Sequence, residues 1–534
     1  MNLKKRKWIS RSTANYVKVL ALSLLPQTMH SSHLKIVSSN CSQRSNLSRL
    51  VDWLPFDEGT SSLRKSIVYI SICSLSILSG CAIITSPPVP EFDVPDQFLN
   101  SEVQSGDSAN ATRDWISLFE LEPLQELIEA AQTRNHNLRA AYQSVQSARA
   151  IARQFRSDAW PQIDGSLSAN SFSDSAVISP DRISDSGERF DAALSAGWEL
   201  DLFGRIRKSI RSAEANAAAQ EALYYEILFT LQADVALFYF QANSLQSEIE
   251  LLEKSRDTRQ KSLELVQERF ATGTVSELDV AQSETLLATA EARLFELRRI
   301  QSSFVYALGV LVGETPSTFD FKPKPLEHSL PKIPTGLPGA LLTRRPDVKQ
   351  AELLLAAASE QVGIAKASFF PQISLSGTIG YASYNLDELF KPSSYLENLG
   401  GQGSLPFFRG GRLRARLAQN IALYEKRLEE FKQVAIEAIT EVDDLLQSTH
   451  LLEQQSDSLT LAVNAAQRAR EISSIQYERG LVDFITALDA ERTALDIEQR
   501  FVQIQRSQFV NTVNLLRALG GSWLPMGSDK EISS

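Results

Sequence analysis

The sequence WPQI at residues 160–163 returns as FPQI at residues 370–373, and each copy opens a stretch of alternating polar and apolar residues. Three further landmarks recur in the same order: GRIR at 204–207 and GRLR at 411–414, RFATG at 269–273 and QYERG at 476–480, and ALG at 307–309 and 518–520. The partners lie 207 to 211 positions apart, which is too far for a solenoid repeat. The chain is therefore predicted to consist of two similar halves.

Very long helices are predicted in each half. Residues 206–268 contain neither Pro nor Gly, and residues 412–477 are also uninterrupted. At about 1.5 Å per residue, some 60 helical residues make a rod about 90 Å long. Apolar residues seven positions apart, such as Leu287 and Leu294, indicate coiled-coil packing. Tight turns at Gly273 and Gly480 join each long helix to a second one, so each half is predicted to be a helical hairpin.

Three segments alternate between polar and apolar residues, and a fourth is a Gly-rich version of the same pattern. Strands are predicted at about residues 162–178, 188–203, 371–385 and 395–408. A membrane barrel strand needs such alternation, with lipid on one face and water on the other, although a soluble sandwich strand gives the same pattern. A barrel needs about eight strands, and open strand edges are not tolerated in lipid. If these strands span a membrane, several chains must share one barrel.

The N-terminal region carries the features of an export signal. Arg64 and Lys65 precede a largely apolar run at 67–78, which ends in the sequence LSGC at residues 78–81. Leu78, Ser79, Gly80 and Cys81 match the bacterial lipobox at every position, so a lipoprotein acylated on Cys81 is predicted. An uncleaved membrane anchor is the alternative, but the run is short for a membrane span.

The segments around this signal also carry predictions. Residues 1–62 precede the signal peptide and suggest a start codon assigned too far upstream. Ala82 follows the lipidated position and fits delivery to the outer membrane. Residues 81–112 are rich in Pro and polar residues, which is typical of an extended tether.

Composition argues against several other functions. The net charge of −10 disfavours a nucleic acid partner. The three cysteines, Cys41, Cys73 and Cys81, leave no thiol for a disulfide in the body of the protein. The five histidines are scattered, and no Walker loop, nucleophile elbow or HExxH motif is present. Neither an enzyme nor a bound cofactor or metal is predicted.

The chain resembles the TolC-like outer-membrane efflux channels, and within them the lipoprotein subgroup called NodT or OprM-like. The matching segments are residues 115–123, LRAA at 138–141, WELDLFGR at 198–205 and LTRRPDV at 342–348. The resemblance implies a homotrimer in which each chain gives four strands to a twelve-stranded barrel, continuous with a periplasmic α-helical tunnel. It also implies a passive exit duct for small molecules such as drugs or metals, fed by an inner-membrane transporter of the resistance-nodulation-division (RND) class and a periplasmic adaptor.

The predicted fold class is thus mostly α with a membrane β-barrel. An extension and signal peptide at 1–80 come first, followed by a lipidated tether at 81–112. The first repeat is predicted at 113–314, with long helices at about 206–308, and a linker at 315–340 leads to the second repeat. The second repeat is predicted at 341–524, with long helices at about 411–520, and a tail at 525–534 follows it. Residues 344–347 are expected to organise the fold where the chain re-enters the second repeat.

The resemblance also implies where a gate lies. The hairpin tips at Gly273 and Gly480 would form the periplasmic aperture and contact the adaptor. Asp279 and Asp489 match the aperture acids of the family, where threefold symmetry would repeat each carboxylate around a narrow opening. As an alternative, both are ordinary acids at the start of a helix, favoured by the helix dipole.

Further expectations concern the second tip. Tyr477 and Arg479 lie beside it and are candidates to tie it to a neighbour in the closed state. Thr486 falls where some family members carry a further Asp, so the acidic ring would be weaker. Because the residues after the two tip glycines differ, gating and the choice between adaptor grooves are expected to depend on that difference.

Two other functions remain open from the sequence. One is the exit duct of a type I secretion system, which would pass proteins. The other is a structural coiled-coil lipoprotein of the cell envelope, which would share the signal and the heptads but gives no reason for amphipathic strands.

Overall fold

The computed structural model describes residues 85–88, 99, 115–173, 186–326, 330–331, 333 and 344–520. Cys81–Ser534 forms one compact unit. The predicted export signal, the lipobox with Cys81, most of the tether and the C-terminal tail lie outside the described residues.

Seven α-helices and four strands are formed by these residues. In chain order they are α1 Glu122–Arg134, α2 His136–Ser157, β1 Gln162–Ser173, β2 Ser186–Leu200, α3 Arg205–Ala271, α4 Glu277–Val312, α5 Pro346–Ala367, β3 Gln372–Ser383, β4 Tyr395–Ser404, α6 Arg412–Glu478 and α7 Phe484–Ala518. The order α2-β1-β2-α3-α4 is repeated as α5-β3-β4-α6-α7, which confirms the predicted duplication at the level of the fold.

Each half contains one exceptionally long helix. Both α3 and α6 have 67 residues, a length of about 100 Å at 1.5 Å per residue. The predicted end of the first helical pair at 308 is four residues short, since α4 continues to Val312. It stops at Gly313, whose φ of +83° is a left-handed helix end that glycine adopts without strain.

The long helices form two hairpins that lie side by side. Helix α3 packs on α4 and α6 packs on α7, while α3 and α7 join the two hairpins. Leu294 of the predicted heptads is buried between the helices of the first hairpin, together with Ala290 and Leu297, which are also seven positions apart. On α6 the apolar side chains of Phe431 and Val442 are buried, whereas Ile421 near the start of the helix is 38% exposed.

The four strands form one antiparallel sheet in the order β1-β2-β3-β4. Strand β2 ends at Leu200, three residues before its predicted end, because the chain turns at Asp201. The carboxylate of Asp201 accepts hydrogen bonds from the backbone N–H groups of Ile206, at 3.1 Å, and Arg207, at 2.8 Å. Strand β4 ends at Ser404 rather than 408, ahead of Pro406, which lacks the N–H that a ladder needs.

None of the helices in the described part of the chain has the length and apolarity that a membrane span requires.

A compact core lies between the sheet and the hairpin tips. Trp115, Phe119 and Ile128 from the start of the body pack there against Phe240 of α3 and Val513 of α7. This cluster binds the N-terminal segment to both hairpins at once.

Arg345 links three helices at the start of the second repeat. Its guanidinium contacts the Asp347 carboxylate at 2.8 Å, the Glu441 carboxylate at 2.6 Å and the Ala518 carbonyl at 3.1 Å. Burial alone would lower the pKa of Arg345, but the two carboxylates outweigh it and raise that pKa. These contacts agree with the fold-organising role expected for residues 344–347.

Candidate functional site

One face of the sheet is apolar and exposed. The strand register places on this face five large apolar side chains with exposed fractions between 53% and 89%: Ile163, Leu167, Leu194, Ile379 and Leu399. The opposite face carries polar side chains, among them Asp164, Ser166, Ser195, Thr378 and Asn398. Such a division suits a sheet with lipid on one side and water on the other.

The first hairpin tip is a glycine turn closed by a capping box. Gly273 has a φ of +74° and follows the last turn of α3. Ser276 caps α4, because its hydroxyl accepts a hydrogen bond from the Asp279 backbone N–H at 3.3 Å. The Asp279 carboxylate reaches back to the Ser276 N–H at 2.9 Å and to its hydroxyl at 2.8 Å. The carboxylate of Asp279, the predicted aperture acid, therefore takes part in capping the start of its own helix.

The second tip has the same turn with different capping groups. Gly480 has a φ of +71°. Asp483, three residues further, caps α7 by accepting hydrogen bonds from the Thr486 backbone N–H, at 3.0 Å, and from the Thr486 hydroxyl. These hydrogen bonds lower the pKa of Asp483. Asp489 lies three residues beyond Thr486 on the exposed surface of α7.

An aromatic and cationic contact joins the two hairpins near their tips. The guanidinium of Arg269, on α3, lies 5.0 Å from the centre of the Tyr477 ring on α6. The Tyr477 ring also packs on Phe484, with 5.5 Å between ring centres. The Tyr477 hydroxyl is buried with no hydrogen-bond partner among the described residues. Tyr477 thus ties its tip to the other hairpin of the same chain, whereas Arg479 is exposed.

Two residues at this site were missed by the sequence reasoning. Arg269 aligns with Gln476 in the repeated segment, and Asp483 aligns with Ser276, each at the same distance from the tip glycine. The alignment of the halves could have identified Asp483 as a helix cap. It gives no signal for Arg269, because that contact depends on how the hairpins pack.

A buried carboxylate lies between the hairpin helices, away from the tips. Glu248 is 2% exposed, and its carboxylate lies 3.6 Å from Arg293 and 3.5 Å from Gln503. Beside it is a cleft of about 710 Å³ that all four hairpin helices line. Among the residues that the structure describes, no group of three side chains is placed to hold a metal ion.

Comparison with known proteins finds similarity to outer-membrane efflux proteins, both in sequence and in structure. A family model described as outer membrane efflux protein matches residues 127–314 and 337–521. The chain is 33% identical over 463 residues to the solvent efflux pump outer membrane protein SrpC of Pseudomonas putida, covering 84% of this chain and 97% of that relative. It is 31% identical over 482 residues to the antibiotic efflux pump outer membrane protein ArpC of Pseudomonas putida, covering 86% and 96%. Among solved structures, the outer-membrane channel OprN matches with a TM-score of 0.78 and 28% identity, over 83% of this chain and all of that one.

Proposed function

Because this chain belongs to the outer membrane efflux protein family, we propose that it is the passive exit duct of a tripartite pump and works as a homotrimer. It is an outer-membrane transport protein and not an enzyme. One observation carries the proposal. A single sheet with an exposed apolar face continues directly into two helices about 100 Å long, so one chain can reach from a membrane deep into an aqueous space.

Two sets of unpaired edges support association of several chains, and the resemblance to trimeric channels sets the proposed number at three. Strands β1 and β4 are the outer strands of the sheet, and a four-stranded sheet in lipid must pair them with another chain. In the helical part α4 and α6 lie at the two outer sides of the hairpin pair. Both carry exposed apolar side chains, including Phe295 and Tyr306 on α4 and Leu461 on α6. Three copies would close a barrel of twelve strands above a tunnel of helices.

The membrane anchor completes the proposed arrangement. The lipobox at Leu78, Ser79, Gly80 and Cys81 would place acyl chains on the Cys81 amine and thiol. Several acyl chains bind a membrane stably, whereas one binds only marginally. The trimer would therefore be held in the outer membrane both by its strands and by lipid.

We assign the hairpin tips to the periplasmic aperture and to contact with the adaptor. Leu481 and Ile485 at the second tip are 70% and 56% exposed, which provides apolar surface for a helical partner. An energy-supplying transporter of the RND class would deliver cargo to this end. The cargo class is small molecules, as the names of SrpC and ArpC state solvents and antibiotics for those relatives.

Gate residues are tested by conductance in planar bilayers. In the proposed gate, Tyr477 secures the second tip and Asp489 contributes its carboxylate to the aperture, whereas Asp279 is held in its capping box and Arg479 is exposed beside the tip. The double variant Tyr477→Leu with Asp489→Asn is expected to conduct more than the wild type. Unchanged conductance would remove both residues from the gate.

The pump role itself is tested by deletion and complementation. Loss of the chain is expected to increase sensitivity to solvents, antibiotics or metals in a broad toxicity screen, and re-expression is expected to restore tolerance. Native mass spectrometry of the detergent-purified protein should give a mass of three chains. A restored secretion of one protein substrate with no change in tolerance would instead favour a type I secretion duct.

A further inference from the structure

The tether residues 85–88 are held against three helices by side chains of the body. Each of the four residues makes at least one hydrogen bond. The Thr85 carbonyl accepts from Lys366 at 3.1 Å, the Ser86 hydroxyl donates to Glu360 at 2.9 Å, the Pro87 carbonyl accepts from Ser359 at 2.5 Å and the Pro88 carbonyl accepts from Tyr424 at 2.8 Å. A segment that only connected the lipid to the fold would need none of these contacts.

A buried ion pair lies at the centre of this contact. The Lys208 ammonium on α3 lies 3.3 Å from the Glu360 carboxylate on α5 and donates to the Ser86 hydroxyl at 2.8 Å. The Lys208 and Glu360 side chains are only 10% and 18% exposed. Burial of charge is unfavourable unless each group is paired and hydrogen-bonded. Ser86 receives a hydrogen bond from the cation and donates one to the anion, so the tether completes the pair.

Gly363 makes room for the tether in the middle of α5. A β-carbon at this position would lie 2.6 Å from Cδ of Lys208 and 2.8 Å from the Ser86 hydroxyl. Glycine weakens the interior of a helix relative to alanine. The close approach of Lys208 and the tether gives a physical reason for a glycine here.

The contact lies near the end of the sheet that continues into the helices, and we call this end the base of the sheet. Lys366 is six residues before Gln372, the first residue of β3, and Lys208 is eight residues after Leu200, the last residue of β2. Cys81 precedes Thr85 by four residues. Because an extended chain spans at most about 3.6 Å per residue, a connection of four residues can reach no further than about 14 Å from the tether contact.

We propose that this groove is a docking site for the chain's own tether and that it fixes the acyl anchor level with the base of the sheet. We call it the tether seat, and its residues are Lys208, Ser359, Glu360, Gly363, Lys366 and Tyr424. The inference rests on the proposed lipidation of Cys81 and the membrane role of the sheet. An anchor held here enters the leaflet that meets the base of the strands, so lipid and strands engage the membrane together.

A disulfide between tether and seat tests the docking in the full-length chain. The native cysteines all lie at or before residue 81, so the pair Ser86→Cys with Gly363→Cys meets no other thiol in the body. The 2.8 Å between the Ser86 hydroxyl and a β-carbon at 363 is compatible with a disulfide. We expect the linked peptide in most of the chain purified from the oxidising cell envelope. The matched control Ser86→Cys with Gln361→Cys places the second thiol at an exposed position around the helix, and an equal yield there would refute the seat.

A second variant avoids crowding at Gly363. Tyr424→p-azidophenylalanine nearly preserves the ring and is expected to form a photochemical crosslink to the peptide that contains residues 85–88. The same substitution at Tyr306, which is 53% exposed on α4, is the control and should give no tether crosslink. Absence of the tether peptide at Tyr424 would contradict the seat even if the disulfide variant fails to fold.

The alignment role is tested by lengthening the connection. Eight Gly and Ser residues inserted after Ile84 should leave palmitate labelling of Cys81 and the 86–363 crosslink intact. The fraction of chain that reaches a heat-resistant oligomer in the outer membrane should fall, and an unchanged fraction would overturn the alignment role. If the wild-type chain takes up no palmitate, the proposed lipidation fails; if it is labelled but the crosslinks do not form, only the seat fails.

Discussion

The two hairpin tips form the same type of turn, but the positions of the acidic and the hydroxyl side chain are interchanged between them. In the first tip the cap is the Ser276 hydroxyl and the acid lies three residues later, at Asp279. In the second tip the acid is the cap, Asp483, and the hydroxyl lies three residues later, at Thr486. A helix start needs an acceptor at its cap position, and either group supplies one. The duplication has therefore kept the backbone of the turn while the side chains that carry its charge have exchanged places.

This exchange changes what each tip presents to a partner. At the first tip Thr274 is exposed next to the glycine, and the apolar side chains of Phe270 and Leu278 are 45% and 63% exposed. At the second tip Leu481 and Ile485 are exposed and Phe484 packs on Tyr477. The residue that follows the glycine is thus polar at the first tip and apolar at the second, although both tips form the same turn.

Substitution of the tip glycines is expected to have the largest effect, because both turns need a residue with positive φ. Gly273→Val and Gly480→Val each place a β-branched residue at a φ above +70°, and each should lower the free energy of unfolding by about 1–3 kcal/mol. Open space surrounds both positions, so the loss is conformational and should be equal at the two tips. Thermal unfolding of the purified protein, followed by circular dichroism, measures it. Gly→Asn at the same positions is the control, because Asn tolerates this conformation; an equally large loss with Asn would contradict the argument.

The exchanged caps should differ in their response to acid. Ser276→Ala removes a neutral cap and should lower the stability of the first tip by about 1 kcal/mol. Asp483 is a charged cap whose pKa is lowered, so its stabilisation is complete above the pKa of the unfolded chain and is lost as the pH falls through the folded pKa. Amide hydrogen exchange near Thr486 should accelerate in Asp483→Ala relative to the wild type. Asp483→Asn keeps an acceptor and should remove most of the acid sensitivity; persistence of that sensitivity would assign it elsewhere.

Loss of the contact between Arg269 and Tyr477 is expected to have a smaller effect on stability. Arg269→Met and Tyr477→Leu should each weaken the packing of the two hairpins, with a coupling of about 0.5–1 kcal/mol between them because they remove the same cation–π contact. A double-mutant cycle on thermal stability measures this coupling. Arg479→Met is the matched control, since Arg479 is exposed beside the tip, and an equal coupling of Arg479 to Tyr477 would show that the ring contact is not specific.

Much of this architecture could be predicted because its signals are local. Alternation over 163–170 and 372–381 identifies the strands, and the absence of Pro and Gly from 206–268 identifies a long helix. The partners at the site could not be predicted in the same way. Arg269 meets Tyr477 only because α3 and α6 belong to neighbouring hairpins, and Lys208 meets Glu360 only because α3 packs on α5. Contacts between residues more than 150 positions apart depend on packing, which a periodic pattern does not specify.

The smallest predicted effect separates the two candidate aperture acids. The Asp279 carboxylate already accepts two hydrogen bonds from Ser276, whereas Asp489 lies on the exposed surface of α7. Asp489→Asn should therefore reduce the preference of the open channel for cations, because exposed carboxylates repeated around a narrow pore attract them. Asp279→Asn should affect the stability of the first tip more than selectivity.

Reversal potentials in planar bilayers under a salt gradient measure this difference. The shift for Asp489→Asn should be modest and should shrink at high ionic strength, since exposed charges are screened over about 10 Å at 0.1 M salt. Glu277→Gln, an exposed acid at the start of α4, controls for the general loss of a negative charge near the tips. If Asp279→Asn shifted the reversal potential more than Asp489→Asn, the first tip would line the aperture despite its capping box, and the side chains that differ between the tips would have exchanged their functions as well as their positions.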